Sequence, residues 1–229
     1  MAKVQYGEMI ADMRGKINGS VHSRNRAGAY MRNKVTPVNP STTFQTNVRN
    51  RLAARSQAWR GLSQAQRNAW NAAVGNFKKT NVFGQLRTPS GINLYSRLNL
   101  NLINIGEAAI TDPPLPVAVD SFTSLALAAS VGGGTITATF TPVIAADHKV
   151  IMETTEPLSP GINFVKSQYR QIGILDNAAT SPYDLATEYQ TKFGSFPAEG
   201  SKIFLRLTQV ELSTGIPSIP IEASAIVGA

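Results

Sequence analysis

Apolar residues recur at helical spacing in the first half of the chain and alternate with polar residues in the second half. Phe44, Val48 and Leu52 lie about one helical turn apart, with Trp59 on the same face, which predicts an amphipathic helix over residues 42–61. We expect this apolar face to be a packing face, because exposing it to water would be unfavourable.

Two further short helices follow. Gly61 ends the first helix, Ser63 with Gln66 fits a capping box at the start of a second helix over residues 63–77, and a third helix is predicted over residues 91–105. Thr42 with Gln45 fits another capping box at the start of the first helix. Three helices of this length can share one small core.

The first 40 residues are rich in Gly, Asn, Ser and Arg and contain few large apolar side chains. Residues 17–23 and 29–35 are predicted to form two short strands joined by a turn at residues 25–28. This would be a projecting basic hairpin arm, and the alternative is a disordered basic tail.

Consecutive prolines at residues 113, 114 and 116 indicate a stiff linker over residues 108–116. Beyond the linker, the two-residue period predicts strands over residues 121–129, 135–140, 149–155, 168–175, 202–211 and 219–227. A helix over residues 182–193, with Ser181 as N-cap and Gly194 past its end, interrupts this pattern.

The predicted fold class is therefore α+β and multidomain. The predicted parts are a basic arm (1–40), a helical docking domain (41–107), the linker (108–116) and a β-sandwich with one inserted helix (117–229).

Charge is divided unequally between the two halves. Residues 1–100 hold sixteen Lys and Arg against Glu8 and Asp12, a net charge of +14, whereas residues 101–229 hold six against twelve, a net charge of −6. The basic half needs an acidic partner: nucleic acid, an acidic protein surface, or the acidic half of a neighbouring copy. The candidate contact residues are Arg14, Lys16, Arg24, Arg26, Tyr30, Arg32, Lys34, Arg49, Arg51 and Arg55.

Arg55 projects close to the apolar face of the first predicted helix. Its side chain either extends to the edge of that face or meets an acceptor at an interface.

Few residues could carry catalysis or bind a metal. The chain has no cysteine, which excludes disulfides, thiolate zinc sites and cysteine nucleophiles. His22 and His148 fall in different predicted domains, and Asp147 beside His148 has no accompanying nucleophile motif. Glu8 and Asp12 are expected to be a solvated pair rather than a metal site. We therefore expect no enzymatic activity and no cofactor.

Nucleic-acid binding is the main alternative to a purely structural role. Arg and Lys interleaved with Asn, Ser and Tyr over residues 14–34 suit contacts to phosphates. No predicted helix collects its arginines on one face, so a recognition helix is not indicated. Trp59 and Trp70 have the spacing of core residues, and we expect packing rather than base stacking.

The N-terminal ten residues lack an apolar signal-peptide core, and no run of about 18 apolar residues occurs. We expect no signal peptide and no membrane span.

Residues 200–210, followed by Gly215, Ser218, Pro220 and a last strand, are similar to the F–G half of a fibronectin type III domain. The resemblance implies an immunoglobulin-like sandwich in which the helix over residues 182–193 is an insertion.

A second group of residues extends over about the first 105 positions and comprises 15–20, 23–26, Gly28, Tyr30, Arg32, 36–40, 57–63, Arg67, Trp70 and 91–99. In these residues the chain resembles a family of proteins from tailed bacteriophages and prophages. The resemblance implies a virion component and carries no established biochemical activity. Fibronectin-like domains are also common appendages of phage heads and tails.

The sequence thus predicts a non-enzymatic structural component of a phage virion, in the head, connector or tail, made in the bacterial host cytoplasm. The basic half is expected to dock into the particle, while the sandwich projects from the particle or decorates its surface. Expected partners are other virion proteins and further copies of the chain, with non-specific contact to packaged DNA, and no membrane or small-molecule substrate. The alternative function is non-specific DNA binding through the basic arm.

Overall fold

The computed structural model describes residues 2–229 and forms two compact units, residues 1–94 and residues 95–229. The described residues have a mixed α/β structure with four α-helices and several antiparallel sheets. The boundary falls inside the third helix, whereas the sequence placed the start of the second domain after the prolines.

The arm is a four-stranded antiparallel sheet in the order β1-β4-β3-β2. Its strands are β1 (Ala2–Lys3), β2 (Gly15–Ile17), β3 (Ser20–Asn25) and β4 (Gly28–Asn33). The turn predicted at residues 25–28 is confirmed, since Asn25 pairs with Gly28.

The strand predicted over residues 17–23 is wrong, because the chain reverses inside it. Ile17 pairs with Ser20 across a two-residue turn in which Asn18 has a φ of 48°. Asn followed by Gly adopts the left-handed conformations that such a hairpin turn requires. The arm is thus a small sheet rather than a single hairpin.

Two predicted helices of the first unit are confirmed as α1 (Thr43–Gly61) and α2 (Gln64–Ala73), and a short 3₁₀ helix (Val74–Phe77) extends α2. The capping box of α2 forms in both directions between Ser63 and Gln66.

Only half of the box predicted at α1 forms. The Thr42 side chain accepts a hydrogen bond from the Gln45 backbone N–H, but the buried Gln45 Oε1 has no hydrogen-bond partner. The first unit also contains a small hairpin of β5 (Lys79–Thr80) and β6 (Leu86–Arg87).

The third predicted helix is α3 (Gly91–Asn104), and its C-terminal turns lie in the second unit. Leu102 and Ile105 are buried there against Val210. The buried Asn99 amide is satisfied, because Oδ1 accepts from the Ile110 N–H at 2.7 Å and Nδ2 donates to the Ile110 carbonyl at 3.2 Å. The chain after α3 is therefore fixed against the helix that precedes it.

The second unit contains two antiparallel sheets, in the orders β10-β9-β12-β13 and β11-β8-β7. The strands are β7 (Ser124–Ser130), β8 (Thr135–Thr141), β9 (His148–Thr154), β10 (Arg170–Leu175), β11 (Tyr183–Asp184), β12 (Lys202–Glu211) and β13 (Ile221–Ile226). The six strands predicted in this half match six of these seven in position, with small shifts at their ends.

One core is shared by the two sheets and a helix, α4 (Ala186–Phe193). Phe140 comes from β8, Met152 from β9, Leu205 from β12 and Tyr189 from α4, and all four are almost completely buried. Alternate residues of each strand face this core, as a strand with one buried face requires.

The edge formed by β7 is closed by the C-terminus. Ser130 and Gly228 form a parallel bridge, in which the Gly228 N–H donates to the Ala129 carbonyl at 2.9 Å and the Val131 N–H donates to the Gly228 carbonyl at 3.0 Å. This pairing satisfies backbone groups that would otherwise be available to another strand.

The start predicted for the inserted helix is wrong. Ser181 is not its N-cap: the Ser181 hydroxyl accepts from the Phe140 N–H at 2.8 Å. Asp184 lies in β11, and its Oδ1 accepts from the N–H groups of Ile136 and Ala186 at 3.0 and 3.1 Å. The polar residues before the helix therefore accept hydrogen bonds from β8 as well as from the first residue of α4. The helix itself begins at Ala186.

Candidate assembly interface

One face of the arm sheet collects several of the predicted contact residues. The register places Lys16 and Arg32 on either side of Val21, and Tyr30 and Lys3 in the neighbouring row of the same face. Side chains two residues apart on a strand share a face, so these three cations and one tyrosine form a single basic surface.

The remaining contact residues of the arm are dispersed. Arg24 pairs with Ala29 in the next row, so it belongs to the opposite face, and Arg26 lies in the turn. The Lys34 backbone N–H donates to the Gly19 carbonyl at 2.7 Å. Arg14 forms an ion pair with Asp12 at 2.8 Å, and it is the only one of the ten contact residues with an ion pair inside residues 2–229.

Helix α1 carries Arg49, Arg51 and Arg55 and has no acidic residue. Arg49 donates to the Asn39 side-chain oxygen at 2.8 Å, and Arg51 is exposed. Arg55 is partly buried, and its buried Nε has no hydrogen-bond partner. An unsatisfied buried donor is unfavourable, and the described part of the chain supplies no acceptor for the Nε of Arg55.

The apolar face of α1, which was predicted to be a packing face, is largely exposed within residues 2–229, and Trp59 on this face is partly buried. The exposed fractions of Phe44, Val48 and Leu52 are 70%, 50% and 49%. Trp70, by contrast, is fully buried, which confirms its prediction as a core residue. Helical periodicity identifies an apolar face but not what covers it.

The first unit has a small core and a large exposed apolar surface. Of the 28 buried apolar residues among residues 2–229, four lie in this unit: Leu62, Trp70, Phe77 and Leu94. Twelve of the 19 exposed large apolar residues also lie there, and the unit carries fifteen Lys and Arg against two acids, a net charge of +13.

A cleft of about 400 Å³ lies between the N-terminal segment, the β3–β4 turn and the β5–β6 hairpin. A Cβ on Gly28 would lie 3.6 Å from the Arg87 guanidinium, so the turn of the arm rests against this hairpin. Glu8 and Asp12 both line the cleft beside Arg24. No group of three or more potential metal ligands occurs among residues 2–229.

The second unit pairs several of its acids internally. Arg206 lies between Glu153 and Glu222 on adjacent strands, at 3.5 and 2.7 Å, and its guanidinium stacks 3.8 Å from the centre of the Tyr169 ring. Burial, together with the nearby carboxylates of Glu222 and Glu153, raises the pKa of Tyr169 to about 12.

Glu107 is also paired inside the second unit. It accepts a hydrogen bond from Lys149 at 2.8 Å, and this bond raises the pKa of that lysine. The carboxylates of these pairs therefore have cationic partners within the unit.

A different part of the second unit, residues 112–120, is acidic, apolar and exposed. Asp112 and Asp120 have no ion pair inside residues 2–229, while Leu115 and Val117 have exposed fractions of 80% and 50%. From the sequence, this segment is predicted only as a linker. The sequence signal for its acidic character is the complete absence of Lys and Arg from residues 98–148.

No family model matches the sequence, and no curated protein is significantly similar to it. None of the helices within residues 2–229 has the length and apolar character needed to cross a bilayer.

Proposed function

We propose that the protein is a non-enzymatic structural component of a phage virion, whose N-terminal unit docks into the particle while its C-terminal domain projects or decorates. The observation that supports the assembly role is that the N-terminal unit exposes more large apolar side chains than it buries. It buries four apolar side chains and exposes twelve large ones.

Such a unit gains little free energy from its own folding. The ordering of each residue costs roughly 1–2 kcal/mol, and burial of apolar surface has to offset that cost. Exposed apolar surface of this extent is typical of an interface. Covering it with neighbouring proteins would stabilise the unit.

The charge of the unit restricts the partner. Lys16 and Arg32 lie on one face of the arm and form no ion pair within residues 2–229. Arg51 and Arg55 on α1 likewise form none. An acidic protein surface would satisfy these cations and could also cover the apolar residues beside them. Duplex DNA would satisfy the cations alone, which is why protein contact is the preferred role.

The phage assignment rests on the resemblance of the N-terminal 105 residues to tailed-phage proteins. The C-terminal unit supports it through its similarity to a fibronectin type III domain: a three-stranded and a four-stranded antiparallel sheet share one core, and the last two strands, β12 and β13, pair as an F–G hairpin does. Domains of this kind are common on phage particles.

Deletion of residues 1–38 tests the docking role. Particles are purified from cells in which the truncated chain is the sole copy, and its amount per particle is compared with that of the full chain. We expect α1 and α2 to remain helical and incorporation to be lost, because the arm contributes interface and no buried apolar residue. Normal incorporation of the truncated chain would contradict the docking role.

A matched pair of double variants separates protein docking from DNA binding. Lys16→Glu with Arg32→Glu alters one face of the arm, whereas Lys166→Glu with Lys192→Glu makes the same charge change at exposed sites of the second unit. We expect only the arm variant to lose incorporation. Tight duplex binding at physiological salt that the arm variant abolishes, with incorporation intact, would favour the DNA-binding role instead.

A further inference from the structure

The exposed apolar face of α1 lies beside arginines that lack acidic partners. Val48 and Leu52 are about half exposed, and Arg51 and Arg55 border the same face one helical turn apart. The Nε of Arg55 is buried without a hydrogen-bond partner, and its guanidinium forms no ion pair within residues 2–229, so a carboxylate at this face would give it one.

The segment Asp112–Asp120 has the complementary composition. It has a carboxylate at each end, no basic residue, and the exposed Leu115 and Val117 between them. It lies in a stretch, residues 105–123, that forms neither helix nor strand. Its prolines favour an extended polyproline II conformation, which presents side chains at low entropic cost.

The two surfaces are also similar in length. A 19-residue helix such as α1 is about 28 Å long. Residues 112–120 in a polyproline II conformation span about 25 Å. The segment can therefore lie along most of the helix, with Leu115 and Val117 against Val48 and Leu52 and the carboxylate at one of its ends near Arg55.

We propose that α1 of one copy docks on the Asp112–Asp120 segment of a neighbouring copy. In this proposal the partner of the N-terminal unit is a second copy of the chain, and the proposal rests on the assembly role proposed above.

Other occupants of the α1 face fit less well. A second α1 would bring four arginines against four, because each helix carries Arg49, Arg51, Arg55 and Arg60 and no acid. A phosphate backbone would leave Val48 and Leu52 in water. The other exposed acids without ion pairs among residues 2–229 are Glu8, Glu156, Asp184 and Glu199, and no two of them bracket a short exposed apolar segment as Asp112 and Asp120 do.

The absence of cysteine from the chain permits a clean cross-linking test. Full-length Val48→Cys protein is mixed with full-length Val117→Cys protein under mild oxidation, so that a heterodisulfide can only join two copies. Leu115→Cys replaces Val117→Cys in a parallel mixture. All three positions are exposed, so the substitutions leave the fold intact.

Matched controls use other exposed valines. Val143→Cys replaces Val117→Cys in the acidic unit, and Val82→Cys replaces Val48→Cys in the basic unit. We expect a heterodisulfide from Val48→Cys with Val117→Cys or Leu115→Cys, and background yield from both controls. Adding Arg51→Glu and Arg55→Glu to the first chain should reduce the yield to background, and adding Asp112→Arg and Asp120→Arg to the second chain should restore it.

Three results would overturn this contact. They are no heterodisulfide above the controls with either partner position, Val48→Cys homodisulfides alone, or a yield that the charge reversals do not change. Loss of incorporation on deletion of residues 1–38 would still support the assembly role in each case, so the two proposals fail separately.

Discussion

Asn101 on α3 donates a hydrogen bond from Nδ2 to the carbonyl oxygen of Gly215, in the turn between β12 and β13, at 2.8 Å. Gly215 has a φ of 70°, and a Cβ at this position would overlap the Leu98 carbonyl oxygen and approach Leu102 Cγ at 2.9 Å. The helix backbone and this turn are therefore in direct contact, which only glycine permits. The last turns of α3 are part of the C-terminal unit.

Gly215→Ala should destabilise the C-terminal unit by about 2–4 kcal/mol, because it combines left-handed backbone strain with a clash against α3. Urea unfolding monitored by circular dichroism measures the change. Gly200→Ala is the matched control: its φ is 75°, but a Cβ there meets no atom within 4 Å, so it should cost only about 1 kcal/mol. Equal losses for the two variants would show that α3 does not constrain the turn.

The C-terminal unit should need α3 for its full stability. A fragment of residues 90–229 retains Leu102 and Ile105 against Val210, whereas a fragment of residues 117–229 leaves Val210 uncovered. We expect the shorter fragment to be less stable by at least about 3 kcal/mol, since it loses two large buried side chains. Thermal unfolding of both fragments measures the difference. Equal midpoints would support the boundary that the prolines predicted.

Glu188 should control the ionisation of Tyr183. The Tyr183 hydroxyl donates to Glu188 Oε1 at 2.6 Å, and this bond, with burial, raises the pKa of Tyr183 to about 12. The unfolded chain has a tyrosine pKa of about 10, so between pH 10 and 12 it releases this proton while the folded chain retains it. The stability that this tyrosine contributes is therefore present below pH 10 and lost as the pH rises to 12.

Glu188→Gln should lower the pKa of Tyr183 toward the usual tyrosine value. NMR titration of tyrosines labelled at Cζ measures it, with Tyr183→Phe identifying the resonance. Glu199→Gln, which removes an exposed carboxylate, is the control and should leave the titration unchanged. An unshifted pKa in Glu188→Gln would mean that the hydrogen bond to Glu188 does not set it.

The sequence predicted local elements better than their assignment to units. Strong local signals placed α1, α2 and β12 correctly, because the capping residue Ser63 and alternating apolar residues act within a few positions. The Asn18–Gly19 turn was also a local signal, but it lay inside an otherwise continuous strand pattern.

The candidate contact surfaces could not be predicted from the sequence, because they depend on pairing between residues that are distant along the chain. Lys16 and Arg32 become neighbours only through the register of β2, β3 and β4. The prolines at residues 113–116 do mark a segment without helix or strand, but α3 passes into the unit that follows it. An apolar helix face such as Phe44–Leu52 looks the same in sequence whether it is buried or exposed.

The proposed assembly role is tested most directly by a cryo-EM reconstruction of the phage particles that cells encoding this chain produce. The proposed function predicts that residues 1–94 are enclosed by neighbouring subunits, with Val48 and Leu52 covered, and that residues 117–229 lie toward the outside. A particle without this chain, or one in which the N-terminal unit faces solvent while the sandwich makes the contacts, would contradict it.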